Sequence, residues 1–160
     1  MSFAPLTFVP VFGSNFSPSE FKGTTLVLPT TSAGMSSSIA VDLYILNQNA
    51  TKAGYIHSEY IAPLVFNDAL SADVSKPGAL TMPCELYVSA DKQYTFMVLR
   101  SGICSGKMYP FGAVFTKFIE EQGFSNVVIL SSTLSPVKRE RESNREIPEL
   151  FAYANNHLYK

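Results

Sequence analysis

A few side chains in this chain of 160 residues stand in patterns that could do chemistry, and each pattern points to a different reaction. Thr30 to Gly34 is a run of small residues opening what reads as a helix. Such a loop exposes backbone N–H groups at the positive end of the helix dipole, an arrangement suited to a phosphate or another anion. No lysine follows Gly34, however, as it would in a P-loop. A tight strand-to-helix connection with Ser36, Ser37 or Ser38 near the cap is the simpler expectation. His57 and Glu59, two residues apart, would share a face of a strand and could pass a proton between them. His157, the other histidine, is a hundred residues further on, so the spacing assembles neither a histidine triad nor a metal cluster. Arg100 follows four apolar residues and is suited to a buried ion pair, a substrate clamp or, most simply, a strand end. Cys84 and Cys104 are too few and too far apart for a disulfide framework or a structural zinc site, and two reduced thiols are expected.

The elements that must position these residues follow from composition and pattern. With 46% hydrophobic and 16% charged residues, twelve Phe and eight Tyr, the chain is too apolar for disorder, and its length suits one core. A formal net charge of −1 provides no field to attract nucleic acid or an anionic membrane, and neither is expected as a partner. The first twelve residues lack a basic stretch followed by an apolar one, and no apolar run is long enough to span a bilayer. A reducing, soluble compartment is expected, and the sequon at Asn49 to Thr51 therefore carries no weight.

Thr24 to Leu28 is a β-branched and aliphatic run stopped by Pro29, and it predicts a first strand. Met35, Ile39, Leu43 and Leu46 then recur at helical spacing. Lys52 to His57 predicts a second strand, and Pro63 predicts an apolar loop around Ile61 to Val65. A flexible loop is expected from Asn67 to Gly78. Cys84 to Ser89 and Tyr94 to Ser101 predict an antiparallel hairpin about the turn Ala90 to Gln93. A helix is expected from Tyr109 to Gln122, with Phe111, Val114, Phe115, Phe118 and Ile119 facing a core and Gly123 as its cap. The unbroken apolar run Val127 to Leu130 predicts a strand covered on both faces. Strand, helix, strand, hairpin, helix and strand in that order give an α/β fold, a layered mixed sheet flanked by helices. It occupies residues 1–136. Residues 137–160 form a linker of alternating charge from Val137 to Glu149, followed by a tail that regains apolar character at Leu150 and Phe151.

Several blocks resemble one family. G-T-T-L-V-L-P from Gly23, I-A-V-D-L from Ile39, K-A-G-Y-I from Lys52, I-A-P-L-V from Ile61, E-L-Y-V from Glu85, M-V-L-R-S from Met97 and V-V-I-L-S-S from Val127 occur in the order and spacing of the proteasome assembly chaperone 2 family, over roughly residues 8 to 135. The resemblance implies a phosphorylase-like α/β domain without enzymatic activity or cofactor. It also implies heterodimerisation with proteasome assembly chaperone 1, support of proteasome α subunits during assembly of the 20S ring, and a place in cytoplasm and nucleus. The family's tail motif, a hydrophobic residue, a tyrosine and any terminal residue, is matched by Leu158, Tyr159 and Lys160. By resemblance, Leu158 supplies apolar contact, Tyr159 the aromatic anchor and Lys160 the terminal carboxylate for a pocket lysine between α subunits. Family members continue well past the stretch matching Val127 to Ser132, and a body with fewer strands is expected to expose an apolar edge that a partner covers. The alternative is a phosphate- or nucleoside-binding enzyme on the same fold, using the Thr30 to Gly34 loop with Lys52 or Arg100.

Overall fold

The structure is a computed structural model that describes residues 3–30, 33–67, 80–132 and 152–153. Its centre is a six-stranded sheet in the order β1-β3-β6-β7-β2-β8. These strands are β1 (Thr7–Pro10), β2 (Thr25–Pro29), β3 (Thr51–His57), β6 (Cys84–Val88), β7 (Tyr94–Leu99) and β8 (Asn126–Leu130). A separate pair, β4 (Phe66–Asn67) and β5 (Leu80–Thr81), lies outside it. β7, β2 and β8 run parallel, whereas β1 with β3, β3 with β6 and β6 with β7 are antiparallel. The mixed sheet and the order of elements agree with the fold class expected from sequence.

Two crossovers place one helix on each face. Between β2 and β3 the chain forms α1 (Ser36–Asn47), and between β7 and β8 it forms α2 (Met108–Gln122). Alternation along the strands divides the side chains between the two layers. Leu26, Cys84, Leu86, Val88 and Met97 point toward Val114 and Phe118 of α2, with Phe21 closing that core. Val27, Tyr87, Phe96 and Val98 point the other way, under Val41 and Ile45 of α1. α2 ends where the sequence indicates: Gly123 takes φ +69°, a left-handed conformation, and its N–H donates to the carbonyls of Ile119 and Glu120.

Three features differ from the sequence reading. β1 was not foreseen, because a four-residue edge strand between Pro5 and Pro10 carries almost no local signal. β8 is the edge of the sheet, not a strand covered on both faces: Val128 and Leu130 pack toward α1, while Val127 and Ile129 are exposed. A parallel edge strand and a central one share the same apolar composition, so the run alone cannot separate them. In α1, the spacing of Met35, Ile39, Leu43 and Leu46 does mark a helix, but these residues face solvent.

Candidate interaction surface

α1 is apolar on both sides. At roughly 100° per residue, Ile39, Leu43 and Leu46 fall about 160° around the helix from Val41. Val41 is 2% exposed, whereas Leu43 is 53% exposed. A helix that is apolar all round is ordinarily enclosed on all sides, and here the outward stripe is exposed. The stripe carries no charge. Asp42 is the single ionisable residue in α1 outside tyrosine, and its carboxylate turns inward to the sheet. The start of α1 is joined to the end of β8 by the Ser36 hydroxyl, which donates to Ser132 Oγ at 2.9 Å. Val128 and Leu130 face α1, so the exposed Val127 and Ile129 stand on the other face of the sheet and form a second apolar strip, separate from the helix stripe, on a strand that has no further neighbour among the described residues.

Beneath the flank of α1 runs a line of four charges. The Arg100 guanidinium donates from Nη1 and Nη2 to the two Asp42 oxygens, each at 2.7 Å, the fork-to-fork pairing that carboxylates favour. Arg100 Nε lies 3.7 Å from Glu85 Oε2, beyond hydrogen-bond reach, and is buried without a hydrogen-bond partner. Glu85 has no exposed side-chain surface. Its Oε1 accepts from Lys52 Nζ at 2.8 Å and from the Met82 N–H at 3.2 Å, and its Oε2 accepts from the Tyr87 hydroxyl at 2.9 Å. Burial, then the Glu85 charge, push the Tyr87 phenol well above its ordinary value. Burial works against the charge on Arg100, but the Asp42 hydrogen bonds and charge outweigh it and raise the guanidinium pKa.

Arg100 is thus the buried ion-pair partner among the roles its sequence position allowed. Lys52 and Arg100 are both engaged by carboxylates, so the cations required by the phosphate-binding alternative are already neutralised. Thr30 donates its N–H and hydroxyl to the Leu130 carbonyl and accepts from Ser37, which ties the end of β2 to β8 and to the first turn of α1, while residues 31 and 32 of the loop lie outside the described residues. Ser36, Ser37 and Ser38 form the first turn of α1, whose cap residue, Met35, has no side-chain cap bond. His57 and Glu59 are both exposed and are not joined by a hydrogen bond. His57 lines an apolar recess of about 330 Å³ with Val9, Tyr55, Pro63, Val65 and Met82, where polar side chains are sparse. Among the described residues no group of three His, Cys, Asp or Glu gathers as a metal site, and no helix is long and apolar enough to cross a membrane. Cys84 is buried in the α2-side core. Leu158, Tyr159, Lys160, His157 and the charged segment 137–149 lie outside the described residues.

The charge line was missed by the sequence reading although part of it was visible. Glu85 interrupts the apolar strand C-E-L-Y-V, and an acid in such a run implies a buried partner. Asp42 stands alone in an apolar helix and gives the same signal.

Comparison with known proteins places the chain in a family. The model of the PAC2 family matches residues 26–157. The chain belongs to the PAC2 family. Relatives named Proteasome assembly chaperone 2 include one from Danio rerio, 30% identical over 113 residues that make up 71% of this chain and 44% of that protein. Another from Nematostella vectensis is 32% identical over 78% of this chain and 52% of its own length. The Homo sapiens protein is 28% identical over 72% of this chain and 44% of its own. The family resemblance read from the sequence blocks is thereby confirmed, and the relatives carry the name of a chaperone, not of an enzyme. The chain spans about half the length of these curated relatives. A solved chain from Thermoplasma acidophilum, described as a protein of unknown function, shares the fold with a TM-score of 0.56 at 14% identity, over 70% of this chain and 43% of that one.

Proposed function

We propose that this protein acts in proteasome assembly by binding other proteins and does no chemistry of its own. The observation that carries the reading is the uncharged apolar stripe Ile39, Leu43 and Leu46 exposed on the outward side of α1. An aliphatic face of this kind is suited to a protein partner, which desolvates it at roughly 25 cal/mol per Å² of apolar area removed from water. The relatives' chaperone name, and the engagement of Lys52 and Arg100 by carboxylates, support a partner-binding role over catalysis.

In this reading the α/β body pairs with a related subunit, proteasome assembly chaperone 1, and together they hold proteasome α subunits while the 20S ring forms, in cytoplasm and nucleus. The tail residues Leu158, Tyr159 and Lys160 dock between α subunits, with Leu158 as apolar contact and Tyr159 as aromatic anchor. Body and tail have separate tasks. The test is affinity purification of an amino-terminally tagged chain from its source cells, beside the same chain lacking the last three residues, with the bound proteins identified by mass spectrometry. The expected outcome is that the intact chain recovers the chaperone partner and α subunits, whereas the shortened chain retains only the chaperone partner. Failure of both to recover proteasome components would refute the proposal.

A further inference from the structure

The apolar pattern of α1 does not by itself decide which side of the helix meets the sheet. The outward side carries Ile39, Leu43 and Leu46, while the buried side carries Val41 and Ile45 with Ser37. By hydrophobicity alone the outward side is the better candidate for burial, since it has one more large aliphatic side chain. The helix nevertheless presents it to solvent.

We infer that the ion pair between Asp42 and Arg100 selects this rotation of α1, and so determines that the Ile39, Leu43 and Leu46 stripe is the surface on offer. Asp42 sits about 100° around the helix from Val41, on the flank that meets Arg100 at the end of β7. On the other flank Tyr44, about 60° from Val41, packs its ring 5.0 Å from that of Phe96 and 6.4 Å from that of Tyr94. Turning the helix by about 160° to bury Leu43 would carry Asp42 onto these aromatic rings and lift Tyr44 away from them. It would also strand Arg100, whose side chain is 11% exposed, beside a Glu85 already bonded to Lys52, Tyr87 and the Met82 N–H. A largely buried guanidinium left with only its 3.7 Å contact to Glu85, and a carboxylate moved from its two hydrogen bonds onto aromatic rings, make the alternative rotation unfavourable despite its greater apolar burial. The pair thus acts as a specificity device: it overrides a hydrophobic preference that would otherwise hide the surface. Asp42 and Arg100 are positioning residues and need not touch a partner.

Thiol accessibility reads the rotation directly. In a Cys104→Ser background, which leaves Cys84 buried, single changes Ile39→Cys, Val41→Cys, Leu43→Cys and Ile45→Cys are labelled with a small maleimide in the full chain. With the pair intact, positions 39 and 43 react at least tenfold faster than 41 and 45. Adding Asp42→Asn should shrink this ratio by tenfold or invert it, and Asp42→Glu should restore it. If Asp42→Asn does not fold, the apolar pair Asp42→Leu with Arg100→Met is used and the same ratio read. An unchanged ratio in a folded variant would overturn the inference, as would failure of both variants to fold, since the pair would then be a requirement for folding and not a choice between rotations. Only the consequence for partners rests on the proposed function. Labelling needs no partner, so a partner screen that recovers nothing leaves this outcome readable, and the two failures are distinct.

Discussion

Lys52 Nζ lies 2.8 Å from Oε1 of Glu85, a carboxylate with no exposed surface in the middle of the sheet. The pair spans the neighbouring strands β3 and β6, 33 residues apart in sequence. Removing one partner leaves a buried charge with too little compensation. Lys52→Met is expected to destabilise the protein by about 3 kcal/mol, and the double change with Glu85→Leu by less, because it removes the stranded charge as well. Urea denaturation of the parent chain and the two variants measures this.

Gly54 leaves room for a close approach of β1 to β3. It lies beside the irregularity in the β3 and β6 register, and a Cβ there would overlap the Val9 carbonyl oxygen and come 2.6 and 2.8 Å from ring atoms of Phe8. Gly54→Ala is expected to push β1 off β3 and cost roughly 1–3 kcal/mol. Hydrogen exchange should show the loss at the amides of β1 before those of β6 and β7.

Alkaline pH should weaken the fold through two protonated groups. Burial, followed by the Glu85 charge, raises the Cys84 thiol from its ordinary value of 9.0 to about 12, and burial with Glu85 raises the Tyr87 phenol too. Both groups hold their protons more tightly when folded than when unfolded. Their contribution is therefore fully present below the unfolded pKa near 9.0 and is lost as pH rises toward about 12. Unfolding free energy measured from neutral pH to about 11 should fall across the upper part of that range. Cys84→Ala should flatten part of the decline, whereas a flat profile in the parent chain would contradict the burial of both groups.

Edge strand β8 separates stability from binding. Ile129 is 60% exposed, and Ile129→Lys should change stability by no more than about 0.5 kcal/mol, as surface changes usually do. A charge on the open edge opposes strand pairing and apolar contact. Partner recovery should therefore fall while the urea midpoint stays in place.

Much of the fold was legible because local patterns agree with the final packing. The hairpin turn, the Gly123 cap and the inward face of α2, with Val114 and Phe118 at its centre, all follow from short-range signals. What escaped was set by long-range contacts. Two apolar sides of α1 share the helical period, and the choice between them is made by Asp42 and Arg100, 58 residues apart. Val127 to Leu130 reads as an enclosed strand because its composition is that of one; only the strand order shows that nothing flanks it on one side among the described residues. The two misread elements, the outward stripe of α1 and the exposed residues of β8, lie on opposite faces of the sheet. Sequence patterning expects apolar residues to be enclosed by their own chain, and here they are exposed.

The most direct test of that account is to charge the stripe without disturbing the core. The tagged chain carrying Ile39→Glu and Leu43→Glu, both at exposed positions, is compared with the parent chain for proteins recovered from source cells. Circular dichroism and a urea titration confirm that the variant is folded. The account predicts an unchanged fold and a loss of about tenfold or more in the recovered chaperone partner, the scale expected when a central apolar contact is removed. Equal recovery by the two folded chains would show that the α1 surface is not where this protein meets its partner.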